Sequence, residues 1–325
     1  MIIGANTFMD NYSQQVFLGN ICKPAGWHLT LARLTGFRSQ HVAKPNSCCM
    51  NCGSDDAIFF PYRIRADFDF KKLPWDLRKV FAERAVGYCR KCGFGQEFNR
   101  FNSDQVERYI NIVSSKDHTV SEEAFHTFPV PQKYKDYFNN AYYAKRIKSW
   151  DRAIDTKIDF MPKRVLILRP MFGAATQYFK NRFGAECYAM EISKIARMTI
   201  EQEQPDVQFL KGNIHAHFYG SFLETGPYDA VICLHTLVHC IDIHDALSKI
   251  RKLLKPGGFA IFNDEIVVKP SNPFHMIFAD EIQWRNLFAQ HFEEIVRLAD
   301  CQDNPEVHIS RYTLDGTSPD YFCIA

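Results

Sequence analysis

An α/β fold, with a mainly parallel sheet covered by helices on both faces and a small thiol-rich module ahead of it, is the class this sequence predicts. Three observations predict it. From residue 163 onward, short apolar runs alternate with amphipathic stretches, and such alternation closes into a parallel sheet because each crossover helix covers a face. Two copies of Cys-x-x-Cys-Gly stand in the other half of the chain, which divides it into modules. The 325 residues, 46% hydrophobic and 23% charged, suffice for two or three domains, one of them with a full-sized core.

Residues 1–45 form an N-terminal extension whose opening lacks the basic, apolar and small-residue pattern of a signal peptide. Residues 46–100 hold the paired cysteines, with "AIFFPYRI" and "ERAVGYC" suited to strands of a small sheet. Residues 101–160 turn helical: Ser103 caps one helix, and a long aromatic, basic one follows Pro131. Tyr134, Tyr137, Tyr142, Tyr143 and Trp150 in that helix read as core packing or as a lid, with core favoured. Its lysines, with Arg146, either attract a nucleotide diphosphate or RNA or form a solvated face.

From 161 to 325 the predicted order is strand "RVLIL", a helix from Ala174, strand "ECYAM", a helix through "SKIARMTIEQ", strands "VQFL" and "YDAVICL", a helix over 243–254, and strand "GFAIFND". Ile243, Leu247, Ile250 and Leu254 share one helix face, and "KPGG" stops that helix. A further helix through "ADEIQWRNLFAQHF" and strands near "EEIVRLA" and "DYFCIA" complete the chain.

No stretch is apolar for long enough to suggest a membrane span, and a net charge of +2 supplies no general field toward nucleic acid or anionic lipid. Eleven cysteines, an odd count with four in tight pairs, fit a reducing cytoplasm better than a disulfide framework. Cys49 with Cys52 and Cys89 with Cys92 have the spacing that aims two thiolates at one tetrahedral zinc, and Gly53 and Gly93 permit the tight turns. Together they read as a zinc ribbon with a closed, structural site that folds the small domain. Four reduced thiols without metal are the alternative.

In an open parallel sheet, ligands sit beyond the carboxyl ends of the strands where chain order reverses. The residues there are "RPMFG" after the first strand of this half, Glu191 after the second, Asn213 after the third and "LHTLVHCID" after the fourth. An acidic residue at the second position suits both hydroxyls of an adenosine ribose.

On these residues, and most specifically on "YDAVICLHTLVHCIDIHDALSKIRKLLKPGGFAIFND", the chain resembles class I S-adenosylmethionine-dependent methyltransferases. With the ribbon ahead, it is similar to bacterial enzymes that methylate sugars, sugar nucleotides and related natural products. The resemblance implies a Rossmann-like sheet of seven strands with the last antiparallel. It implies that Glu191 binds the cofactor ribose, that Ile192, Asn213 and Ile214 lie near the nucleoside, and that Leu234 and His235 border the cofactor. His239 matches the histidine of the family's Glu-His pair, with Val238 in place of the glutamate, and is the candidate base or else a packed histidine.

The first loop departs from the family's acidic-x-Gly-x-Gly-x-Gly. Alignment through Gly173 puts Ile167 at the acidic position and Arg169 and Met171 at the first two glycines. Gly173 is left for close approach at the helix start, and Arg169 either meets the cofactor carboxylate or faces solvent. Three functions follow: a small-molecule methyltransferase, a non-catalytic scaffold or partner-binding subunit that has lost the cofactor, and an RNA methyltransferase, which the near-neutral charge disfavours.

Overall fold

The computed structural model describes residues 48–60, 75, 85–98, 105, 129, 132, 144–213, 219–264, 275–298 and 320–324. The N-terminal extension, the helix expected after Ser103 and the four tyrosines of the linker lie outside them.

The first unit is a three-stranded antiparallel sheet of β1 (Ala57–Phe60), β2 (Val86–Cys89) and β3 (Gly95–Glu97). The sequence signalled β1 and β2. It gave no sign of β3, three residues too short for any periodicity to show.

Helix α1 (Ala144–Lys157) leads into the second unit. There β4 (Arg164–Leu168), α2 (Ala174–Phe183), β5 (Glu186–Met190), α3 (Lys194–Glu203) and β6 (Gln208–Phe209) build one side of the sheet. The short strands β7 (Gly212–Asn213) and β8 (Tyr219–Gly220) pair with each other, and α4 (Phe222–Thr225) leads to β9 (Tyr228–Leu234). Then come α5 (Ile243–Leu253), β10 (Leu254–Asn263), α6 (Glu281–Phe288), β11 (Glu294–Leu298) and β12 (Asp320–Ile324). "KPGG" lies inside the bounds of β10 and breaks its pairing with β9: the register shifts between Leu254 and Phe259, with Gly257 at φ 74°. Those residues therefore end α5 and offset the next strand together.

The seven strands run in the order β11-β12-β10-β9-β4-β5-β6, and β12 is antiparallel to both of its neighbours. β4, β9 and β10 are nearly continuous apolar runs because helices cover both faces. Alternate residues serve opposite faces. Leu166, Leu168, Val231 and Cys233 join a core with Ile250, Trp284 and Leu287, whereas Val165, Ile167, Ile232 and Leu234 join one with Trp150, Ile154, Phe179 and Ile200. Trp150 is fully buried and stacks on Phe179 at 6.5 Å, the packing role favoured for it. Chain order reverses between β4 and β9, so the loops after these two strands flank one crevice.

The cysteine module does not stand apart. Cys49, Cys89, Phe94 and Phe98 belong to the same apolar cluster as Trp284 and Ile277 of the second unit.

Candidate functional site

The crevice is shaped by backbone that side chains rarely adopt. Arg169, Met171 and His235 have φ of 61°, 55° and 47°, and among the described residues they are the non-glycine residues with positive φ. All three lie on the two loops at the point of reversal. Each costs about 1 kcal/mol relative to an ordinary conformation. The loop after β4 thus keeps the left-handed turns that glycines would supply, with arginine and methionine in their place.

The side chains at these turns go in different directions. Met171 and Phe172 are buried in the core formed with Trp150 and Phe179. Arg169 is half-buried rather than facing solvent: its guanidinium donates to the His235 carbonyl at 2.7 Å and stands 3.5 Å from Nε2 of His239. Its own amide donates to the Met190 carbonyl at 2.8 Å, which fixes the loop across the ends of β4 and β5.

Glu191 follows the last residue of β5. One carboxylate oxygen accepts from the Met171 amide at 3.1 Å and the other from the Ser193 amide at 2.8 Å. Burial pushes this carboxyl up, against the opposing pull of the Ser193 amide, Arg169 and the Met171 amide. A carboxylate offers about four acceptor positions, so these two bonds leave capacity for a vicinal diol. The acceptor positions left on Glu191 therefore fit the ribose hydroxyls of S-adenosylmethionine.

Gly173, expected at the cofactor, also makes room for a side chain of its own fold. At φ 88° it starts α2, and a Cβ there would lie 2.5 Å from Nε2 of Gln204. Gln204 donates to the Gly173 carbonyl at 3.0 Å and accepts from the Thr176 hydroxyl at 2.7 Å. The room this glycine leaves is filled by the end of α3. Gly173→Ala is expected to lower stability by about 2 kcal/mol, combining the left-handed turn with a displaced Gln204. A urea titration of the two proteins measures it.

Of the other expected residues, Ile192 is half-buried against the core on the α5 side. Asn213 is placed by the backbone of β7, and Ile214 lies outside the described residues. Leu234 has its side chain wholly in the core, so it can border a ligand only through its backbone. His235 is anchored by its amide to the Asn263 carbonyl at 2.5 Å. Burial, then the charges of Arg146 and Arg169, push its imidazole well below the usual range, so it is neutral at physiological pH.

His239 ends a 3-10 turn over Leu237–His239 and is half-buried. The buried Val238 beside it donates its amide to the carboxylate of Asp264 at 3.2 Å, so Asp264 supports the turn.

Two site neighbours carried no distinctive signal in the sequence. His275, buried, sets its ring edge-on to His239 at 5.1 Å between centroids. Arg146 of α1 comes close enough for its charge to act on His235, which brings this helix toward the crevice. Arg146 was legible only as one cation among several on that helix.

The four cysteines converge. Their sulfurs lie within 4.8 Å of one another, with Cys49 to Cys92 at 3.6 Å and Cys52 to Cys89 at 3.5 Å. Sulfurs around a tetrahedral zinc stand about 3.8 Å apart for Zn–S bonds of about 2.3 Å. Gly53 and Gly93, at φ 71° and 75°, return their amides to the carbonyls of Cys49 and Cys89 at 2.9 and 2.8 Å. The hydrogen bond from Cys49 holds Cys92 down to about 5, a thiolate ready for a cation.

Residues 171–262 match the family described as a methyltransferase domain. No curated protein matches the chain. Among solved structures it is similar to a complex of the Haloferax volcanii Trm112 methyltransferase activator, at 16% identity over 59% of this chain and 95% of that one, with a TM-score of 0.45. It is similar to the CurJ carbon methyltransferase at 14% identity, 70% and 72% coverage and a TM-score of 0.45. Against CalS10, an amino pentose methyltransferase of Micromonospora echinaspora, the values are 13%, 61%, 97% and 0.41. With its strand order and antiparallel last strand, the α/β unit of this chain is a Rossmann-like fold, and its residues 171–262 match a methyltransferase domain.

Proposed function

We propose that this chain methylates a small acceptor, with a nucleotide-linked sugar or a related natural-product intermediate as the class favoured, and that His239 is its base. The observation that carries this is that, among the described residues, the strained non-glycine residues are confined to the two loops of the crevice. A scaffold that had given up its ligand would gain about 1 kcal/mol by relaxing each such turn. Strain kept at one crevice speaks for a ligand that requires the shape.

S-adenosylmethionine, when bound, would supply a methyl group whose bond to the sulfonium sulfur breaks with its electron pair left on sulfur, so that a neutral thioether is the leaving group. Glu191 would hold the ribose hydroxyls, Ile192 with the strand bearing Asn213 would flank the base, and Arg169 would meet the carboxylate. His239 Nε2 would take the proton of the acceptor as its new bond to the methyl forms. The imidazole of His235 stays neutral and, among the described residues, Arg146 and Arg169 bring positive charge to it; with Arg169 on the cofactor carboxylate, Arg146 favours an acceptor carrying phosphate. We assign the four cysteines to a structural zinc, within a ribbon spanning 46–100 ahead of a linker and the domain from 161.

Calorimetry with S-adenosylmethionine tests the reading. The wild-type chain is expected to bind it. His239→Asn is expected to leave that affinity within about threefold while turnover on nucleotide-sugar acceptors falls roughly 10²–10⁴-fold. Neither heat nor a thermal shift at saturating cofactor would leave the scaffold as the better reading.

A further inference from the structure

The segment His275–Phe278 is gripped from both sides. On one side it runs antiparallel to β3: the Glu97 amide donates to the Met276 carbonyl at 2.8 Å, the Phe278 amide donates to the Gly95 carbonyl at 2.8 Å, and Gln96 bridges Ile277. On the other side, the amides of Met276 and Ile277 donate to the Val238 carbonyl at 2.7 and 3.2 Å. Val238 is the residue next to His239, and His275 packs against the His239 ring. This segment thus bridges to the edge of the cysteine module's sheet and supports the histidine turn at once.

The other end of the chain of contacts reaches the cysteines. Gln96, fully buried in β3, accepts from the Met50 amide at 2.5 Å and donates to the Cys48 carbonyl at 3.1 Å. These two groups flank Cys49. At the second knuckle, Gln283 at the start of α6 donates to the Gly93 carbonyl. An unbroken run of hydrogen bonds therefore connects the first cysteine knuckle, through Gln96 and β3, to Met276 and Ile277 and then to the Val238 carbonyl.

We propose that the cysteine module is a positioning element of the methyltransferase site: with its four thiolates closed on a metal, it fixes the turn that carries His239 by way of Gln96 and residues 276–278. The catalytic meaning rests on the function proposed above, whereas the mechanical link does not. Free thiolates repel one another, and a metal that draws them together holds both knuckles in register with β3. Loss of the metal would release β3, and the segment 276–278 would keep only its bonds to Val238.

Gly95 offers a test that leaves the thiolates alone. A Cβ at this position would overlap the Phe278 carbonyl oxygen and the ring of Tyr88, so Gly95→Ala wedges β3 away from the segment. Amide hydrogen exchange on the full chain reads the result, with zinc-loaded protein, chelated protein, zinc-loaded Gly95→Ala and zinc-loaded Gln96→Ala compared. Exchange at Met276, Ile277, His239 and Cys240 is expected to accelerate roughly 30-fold or more in all three altered forms, while Ile167 and Ala189 in β4 and β5 keep their protection. Unchanged exchange at those four amides would overturn the proposal, as would equal acceleration throughout β4 and β5, which would make the metal a general stabiliser. Affinity for S-adenosylmethionine measured on the same samples keeps the two readings apart. If wild type binds none, the enzymatic reading fails while the exchange result still decides the link.

Discussion

Glu191→Ala is expected to weaken S-adenosylmethionine binding by about two orders of magnitude, the largest effect on cofactor affinity foreseen for a single crevice residue. A diol accepted by one ionised carboxylate makes two charge-assisted hydrogen bonds, each contributing about 1.5 kcal/mol or more. Folding stability should change much less. The amides of Met171 and Ser193 lose their acceptors, yet a carboxylate that burial disfavours is removed at the same time.

The same residue gives opposite pH trends for binding and for stability. Burial raises the folded-state value of Glu191 above its ordinary 4.5. The diol needs the ionised form, so affinity falls as pH drops through the raised value, at a higher pH than an exposed glutamate would give. The fold itself favours the protonated form. Its linked stability is present at low pH and is lost as pH rises through the folded value. Calorimetric titration of the cofactor across the mildly acid range, beside urea melts of the apo chain, checks both signs. Affinity constant down to the value of an exposed glutamate would refute the carboxylate grip.

Asp229→Ala is expected to cost about 3 kcal/mol of folding stability, measured as a drop in the urea midpoint. Asp229 is the second residue of β9, buried at the end of the sheet away from the crevice. One oxygen accepts the amides of Lys163 and Arg164 at 2.8 Å each, tying the start of β4 to β9, and the other receives the Lys255 ammonium at 2.6 Å from the start of β10. Three adjacent strands are joined through this one carboxylate. Alanine would leave two amides without their acceptor, the largest part of the loss, whereas Lys255 is exposed enough to find water. Asp229→Asn keeps one acceptor but turns an amide donor toward a donor, so its loss should fall between.

Burial pushes the Asp229 carboxyl up, but Lys255 and the two amides outweigh it and hold it below the ordinary 3.8. A depressed folded value stabilises the fold above the unfolded value and the contribution is lost as pH falls through the folded one. The wild-type chain should thus lose this part of its stability below about pH 4, and Asp229→Ala should show none of that dependence. Parallel acid titrations for the two proteins would expose the alternative, a clamp that contributes nothing.

How much of this was legible beforehand follows the range of each interaction. The apolar runs of β4, β9 and β10, the helices between them, the pairing-competent "DYFCIA" and the cysteine spacing were plain, because each depends on periodicity or on a few neighbouring residues. Glu191 was legible from its place after a strand. β3 was not, since its three residues gain their meaning from β2 on one side and residues 276–278 on the other.

By itself, then, the sequence determined the class of the fold, the two cysteine pairs that converge and the carboxylate at the crevice. Tertiary structure alone decided where the substituted turn sends its side chains: Met171 and Phe172 into the core, Arg169 to a carbonyl 66 residues away. It decided that Gly173 makes room for Gln204, and that the cysteine module is linked to the histidine turn through residues 276–278. The physical reason is common to all of these. A left-handed backbone turn or a shared hydrogen bond is fixed by which distant chain segments meet there, and no local pattern of residue types encodes that meeting.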